Sequence, residues 1–155
     1  MKKEASRSKS YLFVGIQFFL FIVYALFNQG WGSFHRPDSA KYVGLILAGL
    51  GGLFLFLSMI GLNKSLSPWP HPKSDGTLIT HGPYAFIRHP IYTGILIAGL
   101  GWAIYSGSGI RLGIIFLLGA LFFFKARYEE SLLKQKFDSY EAYMTKTGMF
   151  LPKFW

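Results

Sequence analysis

The sequence predicts an all-α integral membrane protein: four transmembrane helices, a polar cytoplasmic loop and a C-terminal amphipathic helix. Three observations carry this prediction. Apolar residues make up 52% of the 155-residue chain and charged residues only 15%. The charges avoid four windows, residues 11–28, 42–63, 91–110 and 112–124, none of which holds Asp, Glu, Lys or Arg. The eighteen glycines fit the same picture, because glycine is commoner in membrane helices than in soluble ones. At ~1.5 Å rise per residue, about 20 apolar residues cross the ~30 Å hydrocarbon core. The first two windows meet that length, and tilt, local thinning or a shared protein surround absorbs the shortfall of the last two. A soluble helical bundle would need a polar face on each helix, and no window offers one.

Taken in order, the first span is expected at about 11–28, after the basic stretch Met-Lys-Lys-Glu-Ala-Ser-Arg-Ser-Lys-Ser. That beginning resembles a secretory signal. The apolar run is longer than the usual ~7–15 residues and no small-x-small cleavage site follows it, so it is read as a retained span. The second span, about 41–62, carries Gly44, Ala48 and Gly52 at four-residue intervals, which places small residues on one face and lets another helix approach closely. Spans three and four, about 91–105 and 110–126, are joined by Ser-Gly-Ser-Gly at 106–109, a link so short that the two helices must run antiparallel. Their other ends, near Pro90 and Arg127, are therefore expected side by side. Between spans two and three, Pro68, Pro70, Pro72 and Pro83 rule out a regular helix over 63–89. After Arg127, the spacing of Leu132, Leu133, Phe137 and Tyr140 predicts an amphipathic helix along the membrane or over the loop. The whole is one membrane domain.

Orientation follows from the cations. Of the sixteen Lys and Arg, all but Arg36, Lys41 and Arg111 fall on the side of the N-terminus, so both termini, the 63–89 loop and the tail are expected in the cytoplasm. The same bias accounts for the net charge of +9, because flanking cations meet anionic headgroups. With no basic groove and no nucleic-acid motif, the partners expected are membrane lipids and not nucleic acid. The absence of cysteine excludes thiolate metal sites and Cys nucleophiles. His35, His71 and His81 have no metal-ligand spacing, and no metal is expected. The compact four-span build and basic inner flanks point to a prokaryotic plasma membrane, with an internal eukaryotic membrane as the alternative.

The chemistry is concentrated in residues 81–94, His-Gly-Pro-Tyr-Ala-Phe-Ile-Arg-His-Pro-Ile-Tyr-Thr-Gly. Pro90 suits the first turn of a helix, where its missing N–H costs nothing, so span three is expected to start at His89 or Pro90. A helix start offers free N–H groups and a partial positive charge, and Arg88 and His89 add donors beside it, a combination suited to a carboxylate or phosphate. Tyr84 and Tyr92 supply aromatic faces, Tyr92 on the same side of the helix as His89. Across the hairpin, Glu129 and Glu130 leave span four at the same depth and can accept hydrogen bonds from an amine and from hydroxyls. Donors, carboxylates and rings together suit a ligand with an amino-acid group, a ribose and a cation, as in S-adenosylmethionine, and less directly a dinucleotide. Each residue also has a plain structural reading. Arg88 can anchor a span end at the headgroups, His89 can flank a cap, and Glu130 can pair with Lys134 or Arg127 for ~0.2–0.5 kcal/mol. Gly99 and Gly101 are read as packing residues.

In chain order, Gly-Pro-Tyr-Ala-Phe-Ile-Arg-His-Pro-Ile-Tyr-Thr-Gly at 82–94, the Glu129–Glu130 pair, and Phe137, Tyr140 and Tyr143 in a tail ending at Pro152 resemble the isoprenylcysteine carboxyl methyltransferase and phospholipid methyltransferase superfamily. The resemblance covers roughly residues 73–152. It implies S-adenosylmethionine as cofactor, bound on the cytoplasmic side by regions about 73–94 and 125–152. It implies cofactor-binding roles for Gly76, Thr77, Leu78 and Ile79, mostly through backbone groups, and for Tyr84, His89, Pro90, Tyr92, Glu129 and Glu130. It sets Arg127 near a basic residue used towards the acceptor, so Arg88 or Arg127 is expected to hold an anionic acceptor. The acceptor is expected to be lipophilic or small, with a carboxylate, amine or thiol. Two features depart from the superfamily: four spans where larger members have more, and Asp138 where many have Gly after the Phe. Two other readings stay open. Sterol reductases share an Arg-His-Pro-x-Tyr-x-Gly segment and bind a nicotinamide dinucleotide, though they have Asn where Ile91 stands here. A non-catalytic membrane subunit would bind neither ligand.

Overall fold

Long runs of Leu, Ile, Phe and Ala with no internal proline leave the backbone one way to satisfy its polar groups in an apolar setting, which is to form helices. The computed structural model describes residues 2–27, 32–62, 69 and 77–153, and among these it contains helices and two isolated bridges but no strand. Helix α1 spans Lys2–Leu26 and α2 spans Asp38–Leu62. A 3-10 turn at Gly82–Ala85 precedes α3 (Pro90–Ser106), α4 (Gly109–Lys136) and a short α5 (Tyr140–Lys146). Helices α1, α2 and α4 are long and apolar enough to cross a membrane, and α3 is a shorter apolar helix of 17 residues. The protein is thus a four-helix membrane protein, as the sequence predicts.

The helices pack in the order α2, α3, α4, α1. The α2–α3 contact is the most extensive and is made backbone to backbone. A Cβ on Gly44 would lie 2.6 Å from the Tyr105 nitrogen, and one on Gly51 would lie 2.3 Å from the Ala98 nitrogen. Gly52, which the four-residue spacing selects, meets nothing within 4 Å. The helical period explains the substitution: seven residues return to nearly the same face, whereas eight overshoot it by most of a right angle. On its other side α3 meets α4 through Tyr92, Ile114, Ile115, Leu118, Phe122 and Ala126, the buried apolar core. Tyr11, Phe19, Ile46, Leu50, Phe56 and Phe116 face outward, as lipid-facing residues must.

The 106–109 link makes the expected antiparallel hairpin. Gly107 takes the left-handed conformation (φ 64°) that closes α3, with the Gly107 N–H donating to Ile104 O and the Ser108 N–H to Ala103 O. The Ser108 hydroxyl then accepts from the Arg111 N–H and caps α4.

The tail differs from expectation. Helix α4 runs unbroken for 28 residues through the glutamate pair to Lys136. Residues 120–136 contain no Gly or Pro and are rich in strong helix formers, so nothing ends the helix at the membrane edge. The break comes at Phe137, which is extended, and α5 restarts three residues on. The predicted amphipathic helix is therefore shared between the end of α4 and the seven residues of α5.

Candidate functional site

Pro90 sets the start of α3 as predicted, with His89 at the N-cap. The antiparallel hairpin brings that start against the last third of α4, and the two charged motifs meet. Arg88 Nε donates to Glu130 Oε1 at 2.7 Å. His89 lies between the two carboxylates: Nε2 is 3.3 Å from Glu130 Oε1 and Nδ1 is 3.4 Å from Glu129 Oε2. The Tyr92 hydroxyl donates to the other oxygen of Glu129 at 2.6 Å. The side chains of Arg88, His89 and Glu130 are 8%, 7% and 7% exposed, and that of Glu129 is 14% exposed. Each imidazole nitrogen faces a different carboxylate, so the three side chains do not converge on a point, and no group able to hold a metal ion occurs among the described residues.

Burial alone would lower the His89 pKa, but hydrogen bonds to Glu129 and Glu130, and the charges of both, outweigh it and hold the imidazole above its ordinary value. That rise favours the protonated form of a ring that lies between two carboxylates. Its ring stacks on Tyr92 (centroids 5.6 Å, planes 2° apart), and Tyr92 stacks on Phe122 (4.4 Å, 10°). The three near-parallel rings run from the charged end into the apolar core.

The tail closes over this end. The Arg88 and His89 N–H groups donate to Gly148 O (2.9 Å) and Met149 O (3.1 Å), and the Gly148 N–H returns a bond to Phe86 O (3.2 Å). The Thr93 hydroxyl donates to Phe150 O at 2.8 Å, and the Tyr143 hydroxyl to Tyr84 O at 2.6 Å. Arg88 Nη1 donates to Thr147 O and, at 3.4 Å, to Met144 O. Burial raises the Tyr84 and Tyr140 hydroxyls, and it pushes Tyr143 up to about 12 despite the nearby Arg88 charge. All three hydroxyls stay neutral over the physiological range.

The fold thus gathers Tyr84, Arg88, His89, Pro90, Tyr92, Glu129 and Glu130 at one end of the bundle. Thr77, Leu78 and Ile79 form the irregular approach to the 3-10 turn, with Thr77 exposed and the other two half-buried. Gly76 lies outside the described residues. Arg127 is not in the cluster; it is exposed, with its guanidinium 5.7 Å from the Phe123 ring centroid. Lys125, which the sequence did not single out, is 1% exposed. Its ammonium donates to Gln17 of α1 at 2.6 Å and lies 5.3 Å from the Tyr92 ring centroid. A signal for it existed: Lys125 directly follows a charge-free window, where an ionisable side chain turned inward marks a functional region. The backbone stitches to 147–150 carry no sequence signal, since any residue can supply a carbonyl. An open furrow of about 520 Å³ lined by Ser8, Tyr11, Leu12, Gly15, Ile16 and Phe19 lies on the exposed face of α1 and shares no residue with the cluster.

These features define a helical membrane protein with a buried histidine held between two glutamates where a membrane hairpin meets a covering tail. The chain belongs to the phospholipid methyltransferase family, whose profile matches residues 40–140. It is 34% identical over 117 residues to a probable protein-S-isoprenylcysteine O-methyltransferase of Oryza sativa subsp. japonica, a match covering 72% of this chain and 61% of that protein. It is 38% identical over 83 residues to the protein-S-isoprenylcysteine O-methyltransferase of Schizosaccharomyces pombe, covering 52% and 35%. It is 29% identical over 120 residues to the cobalt-zinc-cadmium resistance protein CzcN of Cupriavidus metallidurans, covering 77% and 55%. The chain matches less than two thirds of the length of each of these relatives.

Proposed function

We propose that this chain is a membrane methyltransferase that binds S-adenosylmethionine at the His89–Glu129–Glu130 cluster and methylates a lipophilic or small acceptor. The observation that carries this reading is the pairing of both imidazole nitrogens of one buried histidine with two adjacent carboxylates, walled by tyrosine rings. That donor set fits the proposed ligand. Glu129 and Glu130 can accept from an ammonium and from ribose hydroxyls, His89 and the Tyr92 hydroxyl orient those two carboxylates, and the Tyr84 ring can attract a sulfonium. Pro90 fixes the turn that aims His89, and the backbone of 76–79 would complete the wall. When bound, S-adenosylmethionine supplies a methyl group on a sulfonium that is already a good leaving group. The work left to the protein is alignment and the exclusion of water. The covering tail suits the second task, and the α3–α4 hairpin, rigidly backed by α2, suits the first. Arg127, exposed one turn before the glutamates, would meet the anionic group of an acceptor arriving from the membrane. The excess of cations at this end of the helices supports a cytoplasmic site in a prokaryotic plasma membrane.

Titration calorimetry on the detergent-purified protein tests this reading. S-adenosylmethionine should bind and a reduced nicotinamide dinucleotide should not, and membranes given methyl-labelled donor should yield a labelled lipid or small molecule. Glu130→Ala and His89→Ala should each sharply weaken donor binding. Wild-type affinity in both variants would overturn the site. Binding of the dinucleotide instead would make the protein a reductase, and binding of neither would leave a non-catalytic subunit.

A further inference from the structure

An arginine that recognises an incoming anion presents its fork to the binding space. Arg88 turns its fork inward. Nε is bound to Glu130, and Nη1 reaches the carbonyls of Met144 and Thr147, the orphan acceptors at the C-terminal end of α5. The guanidinium is buried, and the carboxylate oxygen it holds is the same one that faces His89 Nε2. Directly beside it run the backbone bonds that join 86–89 to 148–149, including the Ile87–Gly148 bridge.

We infer that Arg88 is a positioning residue, in place of the acceptor-holding role that its place in the sequence suggests. It ties the end of α5 shut over the cluster with one arm and fixes the Glu130 carboxylate on His89 with the other. The inference rests on the reading of the cluster as a donor site, and its geometry explains why this position requires an arginine. A planar fork reaches a carboxylate and a carbonyl at once, whereas a lysine ammonium at the same place keeps the charge but cannot reproduce both fixed directions. Any effect of Arg88 on the ligand therefore passes through Glu130 and the tail.

The test uses the full chain in nanodiscs with Arg88→Lys, Glu130→Gln and the double variant. Hydrogen exchange of the peptides covering 140–150 should speed up at least about tenfold in Arg88→Lys, the loss of one charge-assisted hydrogen bond, while the peptides of α2 and α3 exchange as in wild type. S-adenosylmethionine affinity should fall about tenfold, and the fall should largely vanish when Glu130 is already Gln, because both changes disable the same carboxylate. An electrostatic role alone would be rescued by lysine, and a general structural role would speed exchange in α2 and α3 as well. Tail protection and donor affinity both at wild-type level in Arg88→Lys would overturn the inference. So would tail loosening with fully additive affinity losses. If the wild type binds no S-adenosylmethionine, the proposed function falls, and the exchange of 140–150 still decides whether Arg88 holds the tail.

Discussion

The two ends of the α3–α4 hairpin each bury an arginine, and they use it differently. At the turn end, Arg111 donates to the carbonyl of Tyr24 at 3.3 Å and lies over the Tyr24 ring, so its partners are a backbone oxygen and a π face at the close of α1. At the open end, Arg88 binds a carboxylate that a histidine shares, next to a second carboxylate and a tyrosine hydroxyl. Capping a helix needs only the first arrangement. A buried carboxylate beside a half-buried one is more than capping requires, and desolvating the buried one costs several kcal/mol unless it is well paired. A fold that needed only stability would repeat the turn end twice. The surplus charge at the open end is the feature that supports the proposed donor site.

The largest expected effect tests that surplus directly. Glu130→Ala leaves Arg88 and His89 buried beside a missing charge and should cost roughly 3–5 kcal/mol of stability, read as a fall in unfolding temperature in detergent. Arg111→Ala at the turn end should cost clearly less, and an equal loss at both ends would break the comparison. Next, Gly51→Leu should separate α2 from α3 and cost about 1–3 kcal/mol or more, because its Cβ alone would meet the Ala98 backbone. Gly52→Leu, pointing into open space, should be nearly silent in the same assay.

The third effect concerns pH. The His89 pKa is raised in the folded protein, so protonated His89 favours folding. Its contribution is fully present below the unfolded value near ~6.5 and is lost as pH rises through the higher folded value. Unfolding temperature should therefore decline on the alkaline side of that window in wild type, and the decline should flatten in His89→Gln. A profile that His89→Gln does not alter would show that the imidazole is neutral in the cluster. The smallest effect is expected at Arg127. Arg127→Ala removes an exposed cation–π contact worth about 0.5–1 kcal/mol and should leave donor affinity intact while weakening use of an anionic acceptor. Loss of donor binding would move Arg127 into the cluster.

Much of this was legible in the sequence because it follows from local rules. Charge-free windows give spans, Pro90 gives a helix start, a four-residue Gly-Ser link gives an antiparallel pair, and that pair alone requires residues 88–92 and 129–130 to meet. Local rules failed where two options were equally allowed along the chain. Four-residue spacing favoured Gly52 over Gly51, and only the facing helix chose. The loss of apolar residues after Phe124 sets the end of span four at the membrane edge, whereas the backbone has no reason to stop there.

The sequence by itself determined the helices, their antiparallel pairing and which charged residues share one end, since hydropathy, proline and glycine act within a few residues of themselves. Only the tertiary structure decided what those charges do. Whether Arg88 faces a ligand or the tail, whether His89 bridges one carboxylate or two, and which of Lys125 and Arg127 turns inward depend on distances of a few ångströms between helices far apart in the chain. No local pattern encodes those distances; they are set by how closely glycine lets α2 and α3 approach and by where the tail finds its carbonyl partners.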